Sequence, residues 1–396
     1  MDDGASVVDG RAWRAFCERL AAVGDRILQD DFPSSPRDRA EGFRHLANQT
    51  IAWLSWAVGY PDARYPAFFR QNDLVVRSGG PNVDQTSRRA RIDPAGTYRV
   101  TGEMGSCEDF ILTVKDGDMY EEKYGILTEI TAAELGIGPG DHFAVTLGPP
   151  GTDAGGGHLV TLHPDARLLN IREYYFAWEP RVPVTLAVER LDTQGTAPEP
   201  LTPEAFAVML DDAASRVEHS LVYWNAWVRH ECAELGTNAL GPPKASAGGS
   251  ENIAYGFGFF DLAPDEAWLV ESDVPDADYY DFQLYSLGWF ESLDFANRTT
   301  SLNHTQLTVS ADGTIRVVVA HKDPGVPNWL DTEGRREAML TYRWIKARTH
   351  PVARATVVKL TELAKHLPDD TPRVSPEMRA EEIRKRQAHI AWRYRT

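Results

Sequence analysis

Two regions in which polar and apolar side chains alternate constrain the fold of this chain most strongly. In the first, at about residues 65–192, the stretch "TYRVTG" places Tyr98 and Val100 on one side of the backbone. In the second, at about residues 252–345, the stretch "TIRVVVAH" follows an "ADG" turn and alternates in the same way. Short alternating runs between Gly, Pro and Asp turns are typical of antiparallel sandwiches or barrels.

Between these regions the apolar spacing changes to that of a helix. Thr202 has the position of an N-cap, Pro203 that of the first helical residue, and the helical spacing continues to about Gly236. Because proline is favoured at the first helical position and threonine can cap the free backbone amides, we expect a helix over about 203–235.

Shorter helices are predicted at both ends of the chain. Apolar residues at spacings of three and four predict a helix over 11–29, and Ser35 is the predicted cap of a second one. In this second helix, Phe43 and Ile51 belong to the predicted buried stripe. Ser375 is the predicted cap of a charged helix near the C-terminus.

These patterns predict a mainly β fold. It has two jelly-roll-like antiparallel β-sandwich regions, an N-terminal helical pair, a long connecting helix and a C-terminal helix. The predicted segments are an N-terminal helical segment (1–64), an N-terminal β-sandwich (65–200), a connecting helix and linker (201–251), a C-terminal jelly-roll-like domain (252–350) and a C-terminal tail with a helix (351–396).

Charge and hydropathy exclude several classes of partner. The 396 residues include 41 Lys and Arg against 58 Asp and Glu, so the net charge is −17. This argues against nucleic acids and anionic membranes, because both attract clustered positive charge. The sequence contains no apolar run of the roughly 20 residues that a membrane helix needs. The acidic N-terminus lacks the apolar stretch of a signal peptide, so we expect a cytoplasmic protein.

The sequence gives no sign of a cofactor or a metal site. Its three cysteines, Cys17, Cys107 and Cys232, are too far apart for a CxxC metal site and do not form a disulfide framework. Phosphate-loop, nucleophile-elbow and nicotinamide-binding motifs are not found in the sequence. We therefore expect no cofactor and no bound metal.

The first candidate site is the loop "AHKDPGVPNWLDTEG", residues 320–334. His321 ends the apolar face of its strand, and a Pro-Gly turn follows Asp323, which fixes the backbone that presents Asn328 and Trp329. His321 and Asp323 are the candidate acid–base groups, with Asn328 and Trp329 as substrate-binding residues. In the alternative interpretation Trp329 caps the core, and the polar groups bond to the local backbone.

The second candidate is the stretch "YYDFQLYSLGWF". Alternation sets Tyr279, Asp281 and Gln283 opposite an apolar face that contains Phe282. Asp281 is a candidate catalytic carboxylate, while Tyr279, Gln283 and, from the nearby "SLNHTQ", Asn303 are candidate substrate-binding residues. The alternative is an ordinary face exposed to solvent.

A polar, turn-rich segment precedes the first alternating region. It offers a third set of candidates for a binding rim, and the alternative is a solvated loop. These residues are Arg70, Asn72, Asp73, Asn82 and Asp84.

The stretch "YGFGFFDLAPDEAWLVESDVPDADYYDFQLYSLGWFESLDFANRTTSLN", followed by "DGTIRVVVAHKDPGVPNWLDTEG", resembles the module called domain of unknown function 1214. Upstream, "RARIDPAGTYRVTGEMG" and "NIREYYFAWE" resemble the N-terminal half of the actinobacterial proteins that carry this module. The resemblance covers about residues 10–350. It implies a jelly-roll-like β-sandwich, with two side by side as the extended form, and it implies no reaction.

Two functions are compatible with these patterns. In the first, the protein is a cytosolic enzyme that acts on a small molecule or carbohydrate by acid–base chemistry, as a hydrolase, lyase or isomerase without a redox cofactor. In the second, it is a non-catalytic module that binds a ligand or assembles with other copies of itself. A pocket that joins His321 to a carboxylate would favour the enzyme, and a sealed sandwich end with Trp329 buried would favour the module.

Overall fold

The computed structural model describes residues 4–179 and 182–394. Chain contacts group the protein into two compact units, each assembled from three stretches. The first unit contains Met1–Val76, Thr86–Tyr174 and Pro183–Asn225, and the second contains Arg77–Gln85, Tyr175–Val182 and Ala226–Thr396. The five contiguous segments predicted from the sequence stay a prediction. The two units group residues by their contacts, and this grouping does not show which parts of the chain fold independently.

The first unit contains two β-sheets. Its strands are β1 (Phe69–Asn72), β2 (Gln85–Arg91), β3 (Tyr98–Glu103), β4 (Asp109–Lys115), β5 (Ile126–Thr131), β6 (His142–Gly148), β7 (His158–Thr161), β8 (Leu168–Tyr174) and β9 (Thr185–Arg190). One sheet has the order β1-β2-β8-β4-β5 and the other the order β7-β6-β3-β9. The buried rings of Phe110 on β4 and Phe143 on β6 lie 5.3 Å apart, so apolar faces of the two sheets pack on each other.

Helices accompany these sheets. They are α1 (Ala5–Val8), α2 (Arg11–Arg26), α3 (Pro36–Leu54), which continues into a π-helical turn (Ser55–Gly59), and α4 (Pro203–Leu235), with short 3-10 helices at Met119–Glu121 and Leu191–Thr193. The predicted caps are confirmed. Ser35 Oγ accepts a hydrogen bond from Asp38 N, and Thr202 Oγ1 accepts one from Ala205 N, which satisfies amides that have no partner inside the helix.

The apolar stripe predicted for α3 is buried only in part, since Leu46 and Leu54 are half-buried. Phe43 and Ile51 are 45% and 56% exposed, whereas His45, Gln49 and Trp53 are buried. Leu54 packs on the apolar cluster that contains Phe16 and Leu210, while polar and aromatic side chains fill much of the remaining buried face.

The second unit contains two further sheets. Its strands are β10 (Ala239–Leu240), β11 (Ile253–Asp261), β12 (Glu266–Asp273), β13 (Tyr279–Tyr285), β14 (Ser301–Asn303), β15 (Thr314–Ala320), β16 (Trp329–Asp331), β17 (Glu337–Ile345) and β18 (Arg354–Lys359). The sheet orders are β10-β11-β17-β13-β14 and β16-β15-β12-β18. A 3-10 helix (Leu360–His366) and helix α5 (Pro376–Arg393), capped by Ser375, follow the last strand.

A single apolar layer joins the two sheets of this unit. Phe282 and Leu284 of β13 pack with Val317 and Val319 of β15 in one buried cluster. The alternation predicted for both strands is therefore confirmed. The predicted fold class is confirmed as well: the chain is mainly β with sandwich-like sheets, an N-terminal helix group and a C-terminal helix. Within the described residues, no helix has the length and apolarity that crossing a bilayer requires.

Candidate active site

The second face of β13 is the polar and aromatic face predicted from the sequence. Tyr279, Asp281, Gln283 and Tyr285 alternate with the core residues of the strand, so they point away from the apolar layer. Each of these four residues is at most 1% exposed. The alternative of an ordinary solvent face is therefore wrong, because polar side chains on this face are completely enclosed.

The segment Arg77–Gln85, here called the covering segment, lies over this face. Its Gly80 carbonyl accepts a hydrogen bond from Arg343 Nη2 (2.9 Å), and its Pro81 carbonyl accepts one from Tyr285 Oη (2.8 Å). Gly80 has a φ of 61°, and a Cβ there would lie 2.2 Å from the ring of Phe290. Only glycine allows this close approach of the backbone to the ring.

Asn82 and Asp84 of the covering segment enter the cluster with their side chains. Asn82 Oδ1 accepts a hydrogen bond from Asp84 N (2.9 Å), which closes a local turn, and a second one from Gln283 Nε2 (2.8 Å). Both residues are buried. For these two positions the interpretation as a solvated loop is wrong, since they bond to β13.

Three donors converge on one oxygen of Asp281. Its Oδ2 accepts hydrogen bonds from Tyr279 Oη (2.9 Å), Gln283 Nε2 (2.6 Å) and Arg343 Nη1 (3.1 Å). Arg343 is the residue opposite Asp281 on the neighbouring strand β17. The other carboxyl oxygen, Oδ1, is buried and has no hydrogen-bond partner in the protein. The carboxyl group is thus fixed through Oδ2, and Oδ1 is left without a hydrogen bond.

The phenol of Tyr279 joins two buried carboxyl groups. Its oxygen lies 2.9 Å from Asp281 Oδ2 and also makes a short hydrogen bond with Asp84 Oδ2. A phenol carries one hydrogen, so it can donate to only one of these oxygens. The second contact is a hydrogen bond only if one carboxyl group keeps its proton. A proton kept by Asp281 would make both contacts hydrogen bonds.

The electrostatics of the site agree with this proton count. Burial raises the pKa of Asp281 to about 7; Arg343 opposes this rise, and the neighbouring Asp84 adds to it. Burial, together with the charges of Asp281 and Asp84, raises the pKa of Tyr279 well above its usual range, so the phenol stays protonated. Asp281 is accordingly a carboxyl group that can gain or lose a proton near neutral pH.

The other carboxyl oxygen of Asp84 is bound by Trp178, and helix α5 packs against this indole ring. Trp178 Nε1 donates a short hydrogen bond to Asp84 Oδ1, and its ring stacks on His389 with 4.9 Å between the centroids. Arg386 lies 4.8 Å from the centre of the same indole ring. Burial lowers the pKa of His389 to about 3, with the nearby Arg393 adding to the effect, so its imidazole is neutral.

Asn303 is placed beside this cluster. It stands opposite Asp281 on strand β14. Its Nδ2 donates to the Phe176 carbonyl (2.9 Å), and its Oδ1 accepts from Thr305 N (2.9 Å), so its side chain fixes local backbone. The substrate-binding role predicted for Asn303 stays a prediction.

The 320–334 loop does not share partners with the cluster. Its His321 bonds through Nδ1 to Thr332 Oγ1 (2.7 Å) and through Nε2 to the Leu262 carbonyl (3.1 Å). Asp323 pairs with Arg379 Nε (2.9 Å). The contact between His321 and Asp323 considered from the sequence is therefore not formed, because each side chain is engaged by a different element. Their catalytic role stays a prediction.

Asn328 and Trp329 have structural contacts in the same loop. Asn328 has a φ of 56°, and its Nδ2 donates to the carbonyls of Thr308 (2.7 Å) and Arg316 (2.9 Å). Trp329 is 8% exposed, packs in an apolar cluster and donates from Nε1 to the Ala320 carbonyl (3.0 Å). These are the contacts expected of a loop that closes a sandwich end.

Comparison with known proteins identifies a close structural relative. An uncharacterised protein from Burkholderia cenocepacia, known from its crystal structure, is 32% identical to this chain, with a TM-score of 0.80. The match covers 90% of this chain and 99% of the other.

The chain belongs to the same family as this Burkholderia protein.

The similarity to more distant structures is too low to support a conclusion about fold or function. A Vibrio parahaemolyticus protein is 11% identical, covers 79% of this chain and 98% of its own, and has a TM-score of 0.47. Oxalate decarboxylase from Bacillus subtilis is 10% identical over 72% of this chain and 74% of its own, with a TM-score of 0.14. No family model matches the sequence, and the search of curated proteins finds no relative. The resemblance to domain of unknown function 1214 stays a prediction.

Several members of the site were missed by sequence analysis. Arg343 lies between aromatic residues in the strand "EAMLTYRWI", and a charge flanked by Tyr342 and Trp344 is a signal that could have been used. Trp178 and His389 gave no signal, because their place beside Asp84 depends on contacts between distant parts of the chain. Within the described residues, no group of three or more His, Cys, Asp or Glu side chains could hold a metal ion.

Proposed function

We propose that the protein is an enzyme that acts on a small molecule or carbohydrate by acid–base chemistry, with Asp281 as the group that exchanges the proton. One observation carries the proposal: Asp281 Oδ2 is held by three donors, while its buried Oδ1 has no partner in the protein. A carboxyl group that is fixed in this way and has a pKa near neutrality has the properties of a general acid or base.

Each neighbour of Asp281 has a role in this proposal. Oδ1 exchanges a proton with the substrate. Arg343 stabilises the carboxylate that remains after donation, through its 3.1 Å contact with Oδ2. Tyr279 donates a hydrogen bond to Oδ2 and so helps to hold the carboxyl group in place. Such chemistry serves hydrolases, lyases and isomerases, and it needs no redox cofactor.

Access to Asp281 requires a movement, because this residue is fully buried. The half-buried rings of Phe176 and His304 pack on Tyr279 at 5.1 and 5.5 Å, so one layer of rings separates the phenol from solvent on that side. Gly79 and Gly80 of the covering segment have positive φ values. We assign the opening movement to this segment, since glycines permit large backbone changes.

Further parts of the proposal concern location, family and partners. We place the activity in the cytoplasm; the free cysteines Cys17, Cys107 and Cys232 support a reducing compartment. The C-terminal sequence supports membership of the group that carries domain of unknown function 1214. The net charge of −17 supports a small-molecule ligand over nucleic acid.

A second candidate is the non-catalytic module that binds a ligand or assembles with other copies of itself. The observation that favours it is the 320–334 loop, in which Trp329 is buried and both ring nitrogens of His321 are bonded. A buried polar cluster can also serve folding specificity without any chemistry.

The experiment is a comparison of variants in metabolite conversion. The protein is incubated with a small-molecule cell extract, and the extract is analysed by mass spectrometry before and after. Conversion is expected with the wild type and with Asp312→Asn, which alters an exposed hairpin carboxylate of the same unit. Asp281→Asn should abolish it.

Other outcomes decide between the alternatives. Conversion that survives Asp281→Asn would disprove the role of this residue. Loss in His321→Gln at an unchanged melting temperature would instead favour the loop as the site. If no metabolite is converted but some are retained equally by wild type and Asp281→Asn, the binding module is the better description.

A further inference from the structure

A second polar site lies in the first unit, on one face of the sheet β1-β2-β8-β4-β5. The register of β2 against β8 is set by two hydrogen bonds: Ile92 N to Arg167 O (3.0 Å) and Tyr175 N to Asp84 O (2.9 Å). Both bonds place Arg89 opposite Asn170. The pairing of β4 with its two neighbours places Thr113 opposite Asn170 on one side and opposite Glu129 on the other. These four side chains therefore form one row across four strands.

The row contains buried polar atoms that the protein does not satisfy. Arg89 and Thr113 are fully buried. Arg89 Nε and Nη1, Thr113 Oγ1 and Asn170 Oδ1 have no hydrogen-bond partner in the protein. Since a buried polar group without a partner costs free energy, three in one row indicate a place built for a polar ligand.

Arg89 is held rigidly in this row. Its Nη2 donates to Asp118 Oδ2 (2.6 Å), and its guanidinium lies 4.3 Å from the ring centre of Trp56 and 5.5 Å from that of Trp53. Aromatic rings on one side and a carboxylate at one nitrogen fix the group without using its other two donor nitrogens. A pre-oriented guanidinium of this kind suits recognition of an oxyanion.

Basic side chains lie around Arg89 on this face. They are Arg91, Lys115, Arg172 and Arg216, and Asp118, Glu121, Glu129 and Asp212 form ion pairs with members of this set or with Arg89. Such a concentration of basic groups suits an anionic ligand. Burial lowers the pKa of Lys115 to about 8, so this amine is still mostly charged at neutral pH.

We propose that this row binds a small hydroxycarboxylate. The carboxylate accepts hydrogen bonds from one of the two unsatisfied nitrogens of Arg89 and from the hydroxyl of Thr113, and the ligand's hydroxyl group donates to Asn170 Oδ1. Hydrogen phosphate also carries a hydroxyl group that can donate to Asn170 Oδ1, so phosphate is the competing ligand that the titration has to separate from a hydroxycarboxylate. Asn170 and Arg172 are half-buried, and they mark the side from which the ligand enters.

The site is tested with defined probes by isothermal titration calorimetry. Glycolate, lactate and gluconate are compared with inorganic phosphate and glucose. Saturable binding of at least one of the three hydroxycarboxylates is expected, with weaker binding of phosphate and none of glucose. If none of the three binds, or if phosphate binds more tightly, the proposal is overturned.

Matched variants locate the bound probe. Thr113→Val removes a hydroxyl group that has no protein partner, so it should fold normally and weaken binding about threefold to tenfold. Thr86→Val is the control: its hydroxyl is also buried without a partner, but its position on β2 points to the opposite face of the sheet. Its affinity should equal that of the wild type.

A third variant tests the charged donor. Arg89→Gln should weaken binding by at least about tenfold, because it removes a charge-assisted contact. Equal affinities for the wild type and Thr113→Val, or equal losses in Thr113→Val and Thr86→Val, would show that the probe binds elsewhere. Either result would refute the assignment of the row, even where Arg89→Gln fails to fold.

Discussion

Replacing Asp281 with asparagine should change how the stability of the protein depends on pH. Burial raises the pKa of Asp281 to about 7 in the folded protein, whereas an unfolded aspartate has a pKa of about 4. Between these values the folded state binds more protons than the unfolded state, so the free energy of unfolding falls as the pH rises. A pKa difference of this size corresponds to at most about 4 kcal/mol.

The assay is urea unfolding of the wild type and Asp281→Asn at several pH values between about 5 and 8. The wild type should lose stability over this range, and the variant should lose up to about 3 kcal/mol less, because only part of the interval between the two pKa values lies above pH 5. The slope is the informative quantity, because the substitution also disturbs the buried contact with Arg343 and so changes stability independently of the proton.

A control variant separates this effect from general acid sensitivity. Arg316 lowers the pKa of the exposed Asp312, so Asp312→Asn should remove stability that the wild type loses only in acid, and it should leave the slope between pH 5 and 8 unchanged. If Asp281→Asn runs parallel to the wild type over the same range, the folded protein does not hold the extra proton. The reasoning about the cluster would then be wrong.

Three further predictions concern packing and exposure. Trp329→Ala should lower the free energy of unfolding by about 3–5 kcal/mol in urea titrations, while Trp13→Ala, at a site that is 51% exposed, should lower it much less. Asn328→Ala should cost about 1 kcal/mol more than Asn328→Gly in the same assay, because its φ of 56° disfavours alanine; equal costs would contradict this. A thiol reagent should label the exposed Cys17 rapidly. The buried Cys107, whose thiol pKa is raised by burial, should react only after unfolding. Fast labelling of Cys107 in the native protein would show that the backbone before β4 opens.

The fold was predictable where local patterns determine it. Alternation assigned the two faces of β13 and β15, and the serine and threonine caps marked where helices begin, because both signals depend on neighbouring residues. The buried face of α3 was not predictable in this way. Its Trp53 packs beside the guanidinium of Arg89 from a strand far along the chain, and apolar counting ignores such a partner.

The candidate site was predictable only in part. Tyr279, Asp281 and Gln283 were grouped correctly by alternation within one strand. Their burial could not be inferred, because the residues that enclose them, such as Asn82, are about two hundred positions away in the sequence. The same separation along the sequence hides the contact between the Tyr279 phenol and Asp84.

The most direct test of the account is a titration of the Asp281 carboxyl carbon by NMR. The protein is labelled with carbon-13 at aspartate side-chain carboxyl groups, and the resonance missing in Asp281→Asn identifies the residue. The account predicts a midpoint at a pH of about 7, where burial sets the pKa of this group, and a changed midpoint in Tyr279→Phe, which removes the bridging phenol. A carboxyl group already ionised at a pH of about 5, close to the value of a free aspartate, would contradict the claim that this site holds an exchangeable proton.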